Sequence, residues 1–190
     1  MSRLLLKDLP RYECLLEAAK EFPDLDPSAV EAFLHLLRTG DEAFGITERN
    51  LIQRGMSPGR FGVLMLLWRG VQAQDPMATP ADDCGCGPRT PAGLADAAGV
   101  TRATMTGLID TLERDGFVKR EPDPHDRRMM LVSLTPVATE FLRDFMPGHF
   151  RTIAAIMSPL TEAERKTLVR LLGKVAAQAV ERGAAVQVAT

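Results

Sequence analysis

The chain has 190 residues, 45% of them hydrophobic, with 23 Lys and Arg against 25 Asp and Glu, for a formal net charge of −2. Such a chain is long enough to bury a real core, holds no apolar run of membrane-spanning length, and has no global basic field, so a polyanion-binding face would have to be local. Its three cysteines are an odd number and no signal peptide is evident, which together argue for a soluble cytoplasmic protein without a disulfide framework.

Residues 1–27 read as an N-terminal extension in which Asp8 to Phe22 forms a short helix, cut off by "PDLDP". Cys14 falls in that helix and reads as a packing residue. From Ser28 to about Arg54 the apolar residues Val30, Phe33, Leu34 and Leu37, then Phe44, Leu51 and Ile52, predict a long helix that stops at Gly55. The next segment, "GMSPG", fits the G-x-S-x-G nucleophile elbow of serine hydrolases, which would make Ser57 catalytic. An elbow needs a preceding strand, whereas "TERNLIQRG" reads as helix, so Ser57 is better explained as an N-cap with Pro58 at the first helical position.

Residues 71–89, "VQAQDPMATPADDCGCGPR", show neither apolar periodicity nor a run of β-formers and predict an exposed, mobile insert. Its Cys84 and Cys86 leave open a metal or redox sensor, although one intervening Gly is tighter than the usual C-x₂-C zinc spacing. His35, His125 and His149 form no HExxH or similar set. No catalytic residue and no cofactor is expected.

A second Ser/Thr-Pro start, "RTPAGL", opens a short helix from Pro91 to Ala98, followed by a turn at Gly99-Val100 and a further helix capped by Thr101. In that helix Met105, Leu108, Ile109 and Leu112 make one core-facing stripe. The opposite side opens with Ala103 and Gly107, flanked by Thr104 and Thr106, although Gly costs roughly 1 kcal/mol against Ala inside a helix. A face that gives up propensity for smallness implies close approach by something, either another helix or a ligand.

Phe117 to Arg120 and Met129 to Leu134 then predict a β-hairpin whose tip is rich in Pro, Asp and Arg. "LTPVATEF" starts a helix at Thr135, and "LTEAE" pairs Thr161 with Glu164 in a capping box before the stripe Leu168, Leu171, Leu172 and Val175.

Helix, insert, short helix, sharp turn, helix and hairpin, over residues 57–134, is the order of a winged helix-turn-helix. The expected fold is therefore mainly α with a small β-hairpin. The second helix of such a unit enters the major groove, about 12 Å wide, by its N-terminal end, so Ala103 and Gly107 would supply clearance. Thr101, Thr104 and Thr106 would meet thymine methyls or offer hydroxyls, Arg102 would reach a phosphate or a guanine edge, and Arg127 and Arg128 would reach the adjacent minor groove. Against this, the six basic residues between Thr101 and Arg128 are matched by six acidic ones: Asp110, Glu113, Asp115, Glu121, Asp123 and Asp126.

"GVTRATMTGLIDTLERDGFVKREPDPHDRRMMLVSLTP" resembles the signature of the multiple-antibiotic-resistance regulator (MarR) family, and the likeness extends more weakly from about Ser28 to Val180. The resemblance implies a homodimeric transcription regulator on a palindromic operator in double-stranded DNA. It implies that Asp126 holds the wing by an ion pair while Arg128, or Arg127 in its place, reaches the minor groove. It also implies dimerisation through residues 28–56 and 135–190, and an effector pocket for a small aromatic or phenolic anion between the dimerisation helices and the DNA-binding lobe. His35 and Arg38, at i and i+3, would meet the anion there, near Met65 and Trp68. The insert and residues 1–27 depart from the family pattern.

Overall fold

The structure is a computed structural model that describes residues 8–72, 89–124, 126 and 128–188. Cys84, Cys86, His125 and Arg127 lie outside the described residues, as does nearly all of the segment 71–89. The chain divides into two compact units, Met1–His149 and Phe150–Thr190.

In the first unit, α1 (Tyr12–Glu21) lies within the expected span and buries Leu15. The long helix α2 (Pro27–Ile52) begins one residue before its expected start, because Asp26 is the true cap. The Asp26 Oδ1 accepts the Ser28 N–H at 2.9 Å and the Ala29 N–H at 3.1 Å. Its bond from the Ser28 hydroxyl is the main reason its pKa lies below the ordinary carboxylate value, with those amides adding to it. Pro27 occupies N1, where a missing N–H is harmless.

Ser57 heads α3 (Pro58–Gln72), with its Oγ accepting the Arg60 N–H at 3.4 Å. The element before it is helix α2 and a turn, so the strand that a nucleophile elbow requires is not there. Thr90 caps α4 (Pro91–Ala98) by accepting the Gly93 N–H at 3.0 Å. That helix ends at Gly99, whose φ of 63° is left-handed backbone that a side chain would strain. The Val100 N–H then bonds back to the Ala95 carbonyl at 3.1 Å, which turns the chain sharply into α5 (Arg102–Arg114).

Strands β1 (Val118–Pro122) and β2 (Met130–Leu134) pair antiparallel, Val118 opposite Leu134 and Pro122 opposite Met130. The ladder runs two residues further along the first strand than the hydrophobic pattern predicts. Arg89 adds a bridge to Val132, donating to its carbonyl at 3.1 Å and accepting its N–H at 2.8 Å. The end of the segment 71–89 is thus tied to the hairpin, while Val71 and Gln72 at its start continue α3.

One core serves the unit. Leu51, Met56 and Leu64 meet Leu94, Met105, Ile109 and Leu112 in it, together with Val132 and with Leu142 and Phe145 of α6 (Pro136–Met157). Thr135 starts α6, its Oγ accepting the Ala138 N–H at 3.3 Å and donating to the Gly116 carbonyl at 2.7 Å, which fixes the helix to the end of α5.

The second unit holds the end of α6 and α7 (Glu162–Val188). The Thr161–Glu164 capping box forms as expected, with Glu164 Oε2 accepting the Thr161 N–H at 2.7 Å. That bond, with a second from the Thr161 hydroxyl, lowers the Glu164 pKa. Along α7, Val169, Leu171, Leu172, Val175 and Val180 are exposed. Among the described residues no helix is long and apolar enough to cross a membrane.

Candidate nucleic-acid interface

The α5 helix is two-faced in the way its sequence requires. Met105, Ile109 and Leu112 are fully buried, and Leu108 packs against the same core. On the other side Thr101, Arg102, Ala103, Thr104, Thr106 and Gly107 are all exposed. A Cβ built on Gly107 would meet nothing within 4 Å. Among the described residues no protein atom stands within 4 Å of that position, so the helix surface at Gly107 is open.

The threonines divide their work. Thr101 caps the helix, its Oγ1 accepting the Thr104 N–H at 3.1 Å and lying 2.9 Å from the Thr104 hydroxyl. Thr106 donates its hydroxyl to the Arg102 carbonyl at 2.8 Å, one turn back. With that donor engaged, Thr106 has a methyl group and acceptor lone pairs left for a partner.

Arg102 has no ion-pair partner among the described residues. It borders a groove of about 390 Å³ between the start of α4, α5 and the hairpin, with Thr90, Pro91, Ala92, Thr106, Met129 and Met130. The two methionines are 43% and 39% exposed. Sequence reasoning missed them as surface residues of this groove, because a methionine beside a strand reads as core unless the register is known.

Four of the six matched acids, Asp110, Glu113, Asp115 and Glu121, find ion-pair partners inside the protein. Arg120 on β1 donates to Asp110 on α5 at 2.5 Å and also pairs with Glu113. Those carboxylates, Asp110 first, raise the Arg120 pKa further and keep it charged. Arg60 of α3 pairs with Asp115 at 2.5 Å and stands over the Phe117 ring at 5.8 Å. Lys119 pairs with Glu121 at 2.8 Å. The acids along α5 and β1 are thus compensated locally, while Arg102 and Arg128 remain outside these ion pairs.

At the hairpin tip the described bonds are those of a turn. Among the described residues Asp126 forms no ion pair; its Oδ1 accepts the Arg128 backbone N–H at 3.0 Å, and its carbonyl accepts the Met129 N–H at 2.9 Å. A carboxylate reaches an amide two residues on more readily than a long mobile guanidinium, so Asp126 shapes the tip as an Asx turn.

The four expected effector residues are less gathered. His35 is exposed, and Arg38 pairs with Glu42 one helical turn on, at 3.1 Å. Met65 lines an apolar cleft between α3 and the helix-turn-helix, a cleft whose lining includes neither His35, Arg38 nor Trp68. Trp68 is half-buried against the core. Among the described residues no group of three or more His, Cys, Asp or Glu is placed to hold a metal ion.

Comparisons with known proteins agree with this geometry. Residues 86–130, which run from the end of the insert to the first residue of β2, match the MarR family model. Over 168 residues the chain is 35% identical to the HTH-type transcriptional repressor YetL of Bacillus subtilis, covering 88% of this chain and 92% of that protein. Among solved structures, AbsC, a MarR family transcriptional regulator from Streptomyces coelicolor, matches with a TM-score of 0.68 at 19% identity, over 81% of this chain and 95% of that one. The Bordetella bronchiseptica protein BpsR, whose DNA binding is described as regulated by 6-hydroxynicotinic acid, matches with a TM-score of 0.58 at 24% identity, over 75% of this chain and 91% of that one. These two likenesses show the fold. With 35% identity to YetL over nearly the whole of both chains, and a helix-turn-helix of this geometry, the chain belongs to the MarR family of DNA-binding transcriptional regulators.

Proposed function

We propose that this chain is a cytoplasmic homodimeric repressor that holds a palindromic operator through α5 and the hairpin and releases it when a small effector binds. The observation that carries the reading is the open, small-residue side of α5 at Ala103 and Gly107, with Arg102 beside it and the nearby carboxylates paired elsewhere. On that geometry α5 enters the major groove, Arg102 meets a phosphate or guanine edge, Thr104 and Thr106 lie against thymine methyls, and Arg127 and Arg128 reach the minor groove. The repressor sense is supported by YetL, itself described as a repressor, and the effector by BpsR.

Two copies give two α5 helices one helical turn of DNA apart, which requires a two-fold operator. The exposed apolar stripe of α7 supplies a surface for pairing. An aromatic or phenolic anion would compete with Glu42 for Arg38 and have His35 one turn away, with Met65 and Trp68 on the neighbouring helix.

The test is a mobility-shift and footprinting series with the DNA beside the protein's own gene, repeated over a range of salt. A symmetric footprint, and affinity that falls steeply with salt, support the reading. A footprint over one half-site only, or no preference over unrelated DNA, overturns it.

A further inference from the structure

The described methionines divide by burial. Met56, Met105 and Met146 lie in the core, Met65 and Met157 are half-buried, and among the described residues only Met129 and Met130 are exposed. These two are adjacent on the hairpin, and both line the groove of about 390 Å³ that they share with Arg102 and Thr106 of α5 and with Thr90.

Their backbone is fixed. Met129 donates its N–H to the Asp126 carbonyl and accepts the Asp123 N–H at its own carbonyl, both at 2.9 Å, and Met130 stands opposite Pro122 in the ladder. Both side chains are therefore carried on a hydrogen-bonded hairpin. A thioether is an odd choice there, because Lys, Arg, Ser or Thr would offer donors to phosphate, and a solvated strand edge favours charged or β-branched residues. Methionine has one property that those residues lack. Its sulfur takes up an oxygen atom reversibly and turns a flexible apolar side chain into a polar acceptor.

We propose that Met129 and Met130 form a paired oxidation site, and that their sulfoxides loosen the hold of the hairpin groove on DNA. The oxidant is of the reactive chlorine class, hypochlorous acid or a chloramine. The thioether sulfur attacks the chlorine of hypochlorous acid and the O–Cl bond breaks; water then displaces chloride from the chlorosulfonium ion. Net, one S–O bond forms, sulfur gives up two electrons, and chloride and a proton leave. Exposure decides which methionines react, since the core sulfurs are shielded from the oxidant. A sulfoxide oxygen carries partial negative charge, so in this groove it repels phosphate and accepts a hydrogen bond from Arg102, which phosphate would otherwise receive. The oxidation half rests on exposure and placement; the coupling half rests on the DNA-binding geometry proposed above.

The test treats the full chain with a small excess of hypochlorous acid, quenches it and adds dithiothreitol, which returns disulfides and sulfenic acids to thiols and leaves sulfoxides in place. Peptide mass spectrometry is expected to find oxygen on Met129 and Met130 before Met56, Met105 and Met146. Operator affinity is expected to fall about fivefold or more against the untreated sample, and to return after methionine sulfoxide reductases A and B. Met129→Leu with Met130→Leu, compared with its own untreated sample, is expected to hold its affinity through the same treatment. If treatment alters the parent melting curve, untreated Met129→Gln with Met130→Gln decides, by binding about fivefold or more below the leucine variant. Oxygen that appears first on the core methionines overturns the site, and an equal loss in the leucine variant overturns the coupling. Unchanged parent affinity with both sulfoxides formed also overturns the coupling if Arg102→Ala weakens binding. If Arg102→Ala is without effect as well, the α5 reading fails and the oxidation site stands.

Discussion

Arg120 on the first strand of the hairpin reaches back to α5 and donates to Asp110 at 2.5 Å, so the wing and the recognition helix are joined by an ion pair as well as by the core. Glu113, one turn further along, accepts from the same guanidinium. Arg120→Met would leave both carboxylates uncompensated beside the DNA-facing side. Because the acids are largely solvent-facing, stability should fall by no more than about 1 kcal/mol. Operator affinity should fall roughly three- to tenfold, most at low salt, where repulsion from phosphate is least screened. The triple variant Arg120→Met, Asp110→Asn, Glu113→Gln should recover most of the loss, and titration of all three proteins at two salt concentrations checks it.

Gly107→Leu should separate fold from binding. A Cβ there meets no protein atom within 4 Å, and leucine is the better helix former by several tenths of a kcal/mol, so the melting temperature should hold or rise. Operator affinity should drop at least tenfold, an effect of roughly 1.4 kcal/mol or more, if the helix must approach the groove floor. A protein with unchanged affinity would mean that this side meets only water.

Arg128→Ala and Asp126→Ala should weaken binding in different ways. Loss of Arg128 removes a cation, so the slope of log affinity against log salt should shrink by about one unit if it contacts a phosphate. Loss of Asp126 removes the acceptor of the Arg128 N–H and loosens the tip, so affinity should fall with the slope nearly unchanged. The salt series distinguishes the two.

Leu172→Glu with Val175→Glu should disrupt association. Both residues are exposed on α7 in a single chain, and a charge on each would have to be desolvated in a paired state. Sedimentation should show a dimer for the parent and a monomer for the variant, and operator affinity should fall accordingly. A parent that sediments as a monomer at micromolar concentration removes the two-fold geometry.

His149 packs against the rings of Phe61 and Phe145, at centroid distances of 5.5 Å and 5.4 Å. Burial lowers its pKa below 6.5, since the charged ring loses water there. The neutral ring is therefore the form the folded state favours. The stability this contributes is complete above 6.5 and is lost as pH falls through the unfolded value toward the folded one. Thermal melts between about pH 8 and about pH 5.5 should show the parent losing stability, and His149→Phe should flatten that dependence.

The parts of the fold that were legible in the sequence are those closed by local chemistry. Ser57, Thr90, Thr135 and Thr161 each bond an amide three residues on, so a helix start is written in four consecutive letters. Asp26 carried the same signal, but Ser28 two residues later competed for the reading. The open side of α5 was legible because glycine and alanine there contradict what solvent alone would select. The partners of Arg60 and Arg120, and the exposure of Met129 and Met130, depend on register and on contacts between elements. A list of charges counts the acids and cannot say which of them face a guanidinium. The apolar cleft was hidden for the same reason, since Gly62 and Ala97 come to line one cleft only after the helices pack.

The bridge between Arg89 and Val132 has a consequence for the order in which the chain assembles. The hairpin ladder joins residues 8 to 16 apart, and each side-chain N-cap bond closes within three, so these structures can nucleate locally and fast. Arg89 and Val132 stand about forty residues apart, and closing that loop carries a larger entropic penalty before its two hydrogen bonds are gained. That bridge therefore belongs to a late step, formed on a hairpin already in register. Substitutions in the helix-turn-helix core should slow folding, while those that weaken the bridge should chiefly speed unfolding.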